Sequence, residues 1–173
     1  MPWLDLVSIV RIEDGMTYKN VLMVLSLFGA LAMVAGCSKQ ATEDELLKSA
    51  TLHHGRDEFD AALSDFQELT EKYPKSDKIP EVLYAMGIIC QNETKEFRKA
   101  ESLYTRLVMN FPTDPTSQGA AYQRARILAW NLHQPDSAMA AYELFLQRYP
   151  DILAASSARQ ELDSLKKSLT KAK

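Results

Sequence analysis

The chain has 173 residues, a formal net charge of −3, and 46% hydrophobic against 25% charged residues, the proportions of an ordinary globular protein. From Cys37 onward, 18 basic residues (20 less Arg11 and Lys19) face 20 acidic ones (23 less Asp5, Glu13 and Asp14). That balance leaves no basic footprint for nucleic acid and no polybasic patch for anionic lipid, and two cysteines are too few for a disulfide-built scaffold.

Residues 1–15 place Asp5, Glu13 and Asp14 ahead of a second methionine, Met16. Acidic residues are out of place before a leader, so residues 1–15 are expected to be a misassigned start. Residues 16–36 have the layout of a signal peptide. Lys19 supplies the positive start and Val21 to Val34 the apolar core, which is too short and too soon followed by polar sequence to span a membrane permanently. The core closes on Val34-Ala35-Gly36-Cys37. Small residues directly before a cysteine in that place resemble a bacterial lipobox. The resemblance implies lipid on the Cys37 thiol, cleavage before it and acylation of the new amino terminus; the alternative is a buried cysteine ending an uncleaved anchor helix. Ser38, rather than Asp, after the cysteine points to the outer membrane by the enterobacterial sorting rule. Cleavage would leave the chain from Cys37 to Lys173, enough for one domain. Residues 37–42 are then a lipidated tether and residues 43–173 the folded domain. With Cys37 acylated, Cys90 has no disulfide partner.

Beyond the tether the chain repeats. Ala62, Phe66, Leu69, Tyr73 and Pro74 recur as Ala100, Tyr104, Leu107, Phe111 and Pro112, and again as Ala138, Tyr142, Phe145, Tyr149 and Pro150. The interval is 38 both times (112 − 74 and 150 − 112), and a period of this size predicts stacked helical hairpins. Thr42 and Glu45 form a capping box for a first helix over about 43–54 that ends at Gly55, with Leu46, Ser49, Ala50 and Leu52 facing inward. A second helix runs from about 57 to just before Pro74, its apolar residues at spacings of three and four. The third covers about 78–91, with Pro80 in its first turn and Val82, Leu83, Met86 and Ile89 or Cys90 on its apolar face. The fourth covers about 95–110. The fifth covers about 116–132, with Asp114 as its cap and Pro115 opening it. The sixth covers about 135–148. A seventh, about 153–169, carries Ala154, Ala158, Leu162, Leu165 and Leu169 on one stripe. Arg159, Gln160, Asp163, Lys166 and Lys167 lie opposite, the pattern of a capping helix. Residues 170–173 are expected to fray.

Gly87 stands in mid-helix, where it costs ~1 kcal/mol relative to alanine. Ala100 follows it at an interval that Ser49 with Ala62 and Ala125 with Ala138 repeat (100 − 87 = 62 − 49 = 138 − 125). Small residues at all six places predict that the two helices of each hairpin cross there.

These hairpins resemble tetratricopeptide repeats. Leu83, Gly87, Ala100, Tyr104, Leu107 and Pro112 match that pattern best. The third copy departs from it with Ala121 and Ala125, and the first with Glu45 where a large apolar residue is usual. The segments YPKSDKIPEVLYAMG and FPTDPTSQGAAYQRA are similar to the long repeats of BamD-type outer-membrane lipoproteins and of the C-terminal half of YbgF. BamD-type proteins carry about five repeats; three are read here. The resemblance implies an all-α solenoid of about three hairpins plus a C-terminal capping helix. It also implies a lipid-anchored, periplasm-facing scaffold for other envelope proteins, with outer-membrane protein assembly as the first reading. An envelope or division-associated adaptor of YbgF type is the alternative. A glycan-capture lipoprotein is less favoured, since those are much larger, with long loop insertions.

In tetratricopeptide repeats the position three residues before the small one, and those four and seven residues further, line a concave groove. Carried over, the groove holds Tyr84, Ile88 and Gln91, then Tyr122, Arg126 and Ala129, with Leu46 from the first repeat. The register alone leaves Tyr84 and Tyr122 divided between groove and core, and Trp130 is a further candidate for an exposed anchor. Adjacent side chains on a helix diverge, so His53-His54 reads as a solvated helix end rather than half a metal site. Glu43, Asp44 and Glu45 read as first-turn acids that favour the helix N-terminus, and Cys90 as a buried structural thiol. No nucleophile elbow, zinc-protease motif or phosphate loop is present. The expectation is therefore no enzyme, no cofactor and no metal. The expected partners are an envelope protein or peptide segment, and the membrane through lipid on Cys37.

Overall fold

The computed structural model describes residues 40–171. The leader, the lipobox and Cys37 lie outside the described residues. Residues 41–173 make one compact unit whose two core clusters are built from its own side chains, so it carries what it needs to fold. Among the described residues seven α-helices follow one another: α1 (Glu43–His54), α2 (Phe59–Lys72), α3 (Ile79–Asn92), α4 (Phe97–Asn110), α5 (Pro115–Arg126), α6 (Pro135–Arg148) and α7 (Ala154–Lys171). They form an all-helical repeat solenoid. α1 pairs with α2, α3 with α4 and α5 with α6, and α7 packs on α6.

The local chemistry sets the helix ends. Thr42 accepts from the Glu45 amide and the Glu45 carboxylate accepts from the Thr42 amide, closing the capping box. Asp114 caps α5 through the Thr116 amide at 2.8 Å, and Pro115 opens the helix. The second helices of the three hairpins end alike. Tyr73, Phe111 and Tyr149 leave helical geometry at φ −123, −130 and −131 while still donating to Leu69, Leu107 and Phe145.

The hairpin loops repeat as well. Asp57, Lys95 and His133 take positive φ, at 61, 58 and 51, and recur at the same interval as the helices (95 − 57 and 133 − 95). The chain reverses there, so α2 and α4 begin at Phe59 and Phe97, a little later than the apolar pattern predicted. The fifth helix stops being α-helical at Arg126 and widens into a π-helical turn over Ile127–Asn131. Wide turns of this kind let a helix end re-aim its side chains: Ile127, Leu128 and Ala129 are buried while Trp130 stays 49% exposed.

The same register runs on into α7. Its buried residues Ala155, Ala158, Leu162 and Leu165 are the counterparts of Ser117, Ala120, Arg124 and Ile127 in the fifth helix and its wide turn, and of Ile79, Val82, Met86 and Ile89 in α3. α7 packs on α6, so this flank faces the preceding hairpin. Where α3 buries Leu83, Gly87 and Cys90, α7 has Arg159, Asp163 and Lys166, all exposed. It is the first helix of a fourth repeat, with its remaining face made polar. The expected stripe is therefore offset: Ala155 replaces Ala154, and Leu169 is only half-buried. The helix continues through Lys171, beyond the expected fraying at Thr170.

At the other end, Leu46 and Ala50 are buried as expected, Ser49 is half-buried, and Leu52 is 49% exposed rather than inward. Leu52 shares a flank with Asp44, Lys48 and Thr51, the counterparts of the α7 positions that dock on α6. No described hairpin precedes α1, so nothing among the described residues covers that flank.

The nearest neighbour of Gly87 is the ring of Tyr104. A Cβ built there would lie 2.8 Å from Tyr104 Cζ and 2.9 Å from Cδ1, nearer than any atom of Ala100. The Tyr104 ring, fully buried, lies against the glycine backbone. Gly87→Ala should therefore destabilise the unit by ~1–3 kcal/mol through overpacking, in spite of the gain in helix propensity. Urea unfolding of residues 41–173 measures it, and a variant as stable as the parent would mean the ring can move aside.

Candidate functional site

Five of the predicted groove residues, Tyr84, Ile88, Gln91, Tyr122 and Arg126, stand on the first helices of the second and third hairpins. Tyr84 is half-buried; its ring centroid is 5.9 Å from that of Tyr104, and its hydroxyl edge fills the space where a Cβ on Gly119 would sit. Ile88 is half-buried against the core of the first two hairpins. The Gln91 carbonyl accepts from the Tyr104 hydroxyl at 3.1 Å, and its amide donates to Gln123 at 3.3 Å. Tyr122 is half-buried, 5.5 Å from Phe145 and 6.4 Å from Tyr142 between centroids. The Arg126 guanidinium stands 5.8 Å over the Tyr122 ring and is the most exposed of the five. An arginine so placed is held by the ring quadrupole yet keeps donors free for a ligand. Leu46 and Ala129, assigned to the groove by register, are 4% and 7% exposed. They belong to the core clusters.

A residue outside the predicted set organises this face. Glu161, on α7, accepts from the Tyr122 hydroxyl at 3.0 Å and from the Tyr142 hydroxyl, and lies 3.8 Å from Arg126 Nε. Burial, and then the hydrogen bond to Glu161, push the Tyr142 phenol well above its usual range; the same causes raise Tyr122. Tyr104 is raised chiefly by burial. Glu161 is the counterpart of Gln123 one period earlier (161 − 123 = 38), so extending the period into α7 would have found it.

The remaining candidates resolve into structural roles. His53 is not a solvated helix end: its Nδ1 lies 3.0 Å from Asp65 Oδ2 on α2 and its Nε2 3.7 Å from Glu58. Helical spacing within α1 could not show a partner on another helix. Glu43 accepts from Ser76 at 2.7 Å and Asp44 from Lys78 at 2.7 Å, so these acids also fasten the turn between the first two hairpins. Cys90 is a free, buried thiol whose pKa burial pushes up. Among the described residues no group of His, Cys, Asp and Glu could hold a metal ion, and no helix is long and apolar enough to cross a membrane.

A stack of hairpins whose successive first helices bear half-buried aromatics and an exposed arginine has the architecture of a tetratricopeptide-type repeat. The family model described as YfiO, outer membrane lipoprotein, matches residues 39–173, and the chain belongs to that family. Among solved structures, 34 chains match. One is the crystal structure at 2.39 Å of a tetratricopeptide repeat protein from Parabacteroides merdae. It aligns with a TM-score of 0.61 at 16% identity, over 87% of this chain and 56% of that one. This chain thus spans just over half the length of that structure, and the likeness is one of fold. No curated protein matches the sequence.

The raised phenols carry a pH signature. A tyrosine whose folded pKa lies above its unfolded value of about 10 keeps its proton in the folded state after the unfolded chain has lost it. Its contribution is fully present below pH ~10 and is lost as pH rises towards the folded value. The melting temperature should fall above pH ~10, and Tyr142→Phe should flatten that fall. Glu161→Ala, which strands the buried Tyr142 hydroxyl, should cost ~1–3 kcal/mol, read by the same melts near neutral pH.

Proposed function

We propose that the protein is a lipid-anchored scaffold of the outer membrane, facing the periplasm, that captures other envelope proteins on the face formed by α3, α5 and α7. The observation that carries this reading is Arg126 over the Tyr122 ring, with Glu161 behind both. Binding energy in interfaces concentrates in Tyr, Trp and Arg, and here two of these types are fixed in place before any partner arrives, which lowers the ordering cost of binding. Family membership supports an envelope lipoprotein, and the fold supports a scaffold rather than an enzyme. A role in outer-membrane protein assembly is the first reading of the partner. A YbgF-type adaptor role is the second, supported by the similarity of YPKSDKIPEVLYAMG and FPTDPTSQGAAYQRA to such repeats.

The binding test separates surface from core. Arg126→Ala changes an exposed side chain and should leave stability within about 0.5 kcal/mol while lowering capture of envelope proteins by the soluble unit at least tenfold. Tyr122→Ala should lower capture and stability together, since its ring also packs on Phe145 and Tyr142. Undiminished capture by Arg126→Ala would place the binding surface elsewhere.

The anchor is tested separately. Acyl chains add ~0.8 kcal/mol per buried methylene, and two or more make anchoring stable. Cys37→Ser should move the protein from the membrane to the soluble fraction or stall its processing. Identical fractionation and mass for parent and variant would rule out lipidation at Cys37.

A further inference from the structure

Two shallow notches lie along the edge where the hairpin loops turn. One is lined by Asp57, Glu58, Phe59 and Asp60, with Thr94 from the next loop. The other is lined by Lys95, Phe97, Arg98 and Lys99, with Glu96 beside them and Leu132 from the next loop. They are the same place in successive repeats, since Lys95 follows Asp57, Phe97 follows Phe59 and Leu132 follows Thr94, each by 38. A half-buried phenylalanine, the first residue of α2 or of α4, floors each notch.

Their charges are opposite. The first notch has three acids and no base. The second has three bases and Glu96, which pairs with Lys99 at 3.3 Å. Asp57, Asp60, Lys95 and Arg98 are exposed and make no ion pair with any described residue. The acids suit the N-terminus of α2, where the helix dipole favours negative charge. The bases oppose that same field at the N-terminus of α4, so local helix stability does not account for them.

We propose that this edge is a self-association surface and that its occupant is a second copy of this chain. A two-fold axis passing between the notches lays the acidic notch of one copy on the basic notch of the other, and the reverse contact forms at the same time. An isologous interface requires such self-complementarity, and one edge carrying both signs around matched phenylalanines provides it. The contact is small and rimmed by charge, so the dimer is weak and dissolves as salt screens it.

The test uses residues 41–173 in analytical ultracentrifugation. At low salt the mass should rise towards twice the monomer with concentration, and return to monomer in about 1 M salt, where the screening length is ~3 Å. One variant carries Asp57→Lys, Glu58→Lys and Asp60→Lys, the other Lys95→Glu, Arg98→Glu and Lys99→Glu. Each alone should be monomeric, because its two notches then share one sign. Mixed in equal amounts they should pair, which also shows that both are folded. The chain bearing all six changes should dimerise like the parent. A parent that stays monomeric at every salt and concentration overturns the proposal. So do a charge-reversed variant that still self-associates, or two monomeric variants that do not pair on mixing.

Discussion

The stack depends on one contact, the ring of Tyr104 lying against the backbone of Gly87. It brings α3 and α4 close enough to exclude water from the ring, and full burial of such a side chain contributes ~1.5–3 kcal/mol. The same places in the neighbouring hairpins hold Ser49 with Phe66 and Ala125 with Tyr142, and Phe66 and Tyr142 are buried. An aromatic from the second helix thus enters the core of every hairpin, opposite a small residue of the first. Ala62, Ala100 and Ala138, all fully buried, keep the second helix near by having no bulk of their own.

A buried tyrosine brings a hydroxyl that must find a partner, and each repeat answers differently at one register position. Phe66 has no hydroxyl, and His53, at the position of Gln91, turns instead to Asp65. Tyr104 donates to Gln91 within its own hairpin. Tyr142 has no such acceptor, since Ala129 stands where Gln91 would, and donates to Glu161 of α7. The last hairpin therefore completes its core only with the help of the capping helix. That dependence places a carboxylate beside Tyr122 and Arg126, joining the energetics of the cap to the candidate binding face.

Among the described residues, the first and last helices of the stack differ in which flank is covered. α7 keeps the apolar flank that docks on α6 and makes its other face polar with Arg159, Asp163 and Lys166. α1 keeps the packing against α2 and carries Asp44, Lys48 and Thr51 on the flank that later repeats use for docking. Both are first helices in the one register. Their polar faces reflect which neighbour each has among the described residues rather than a different fold of the helix.

The sequence by itself determined the period, the all-helical class, the caps at Thr42 and Asp114 and the order of the seven helices. These are local or periodic properties, set by spacing along one chain segment and by the few residues that can close a helix end. It also placed Tyr84, Gln91, Tyr122 and Arg126 on first helices, because register is kept along a solenoid. Tertiary structure alone decided what each of them touches. The Tyr104 ring lies nearest Gly87, His53 reaches Asp65, Leu46 and Ala129 sink into the core, and Glu161 ties α7 to two tyrosines. Periodicity states which face of a helix points inward; the crossing angle and depth of the opposing helix state which atom it meets. That second quantity arises only when the hairpins are packed together.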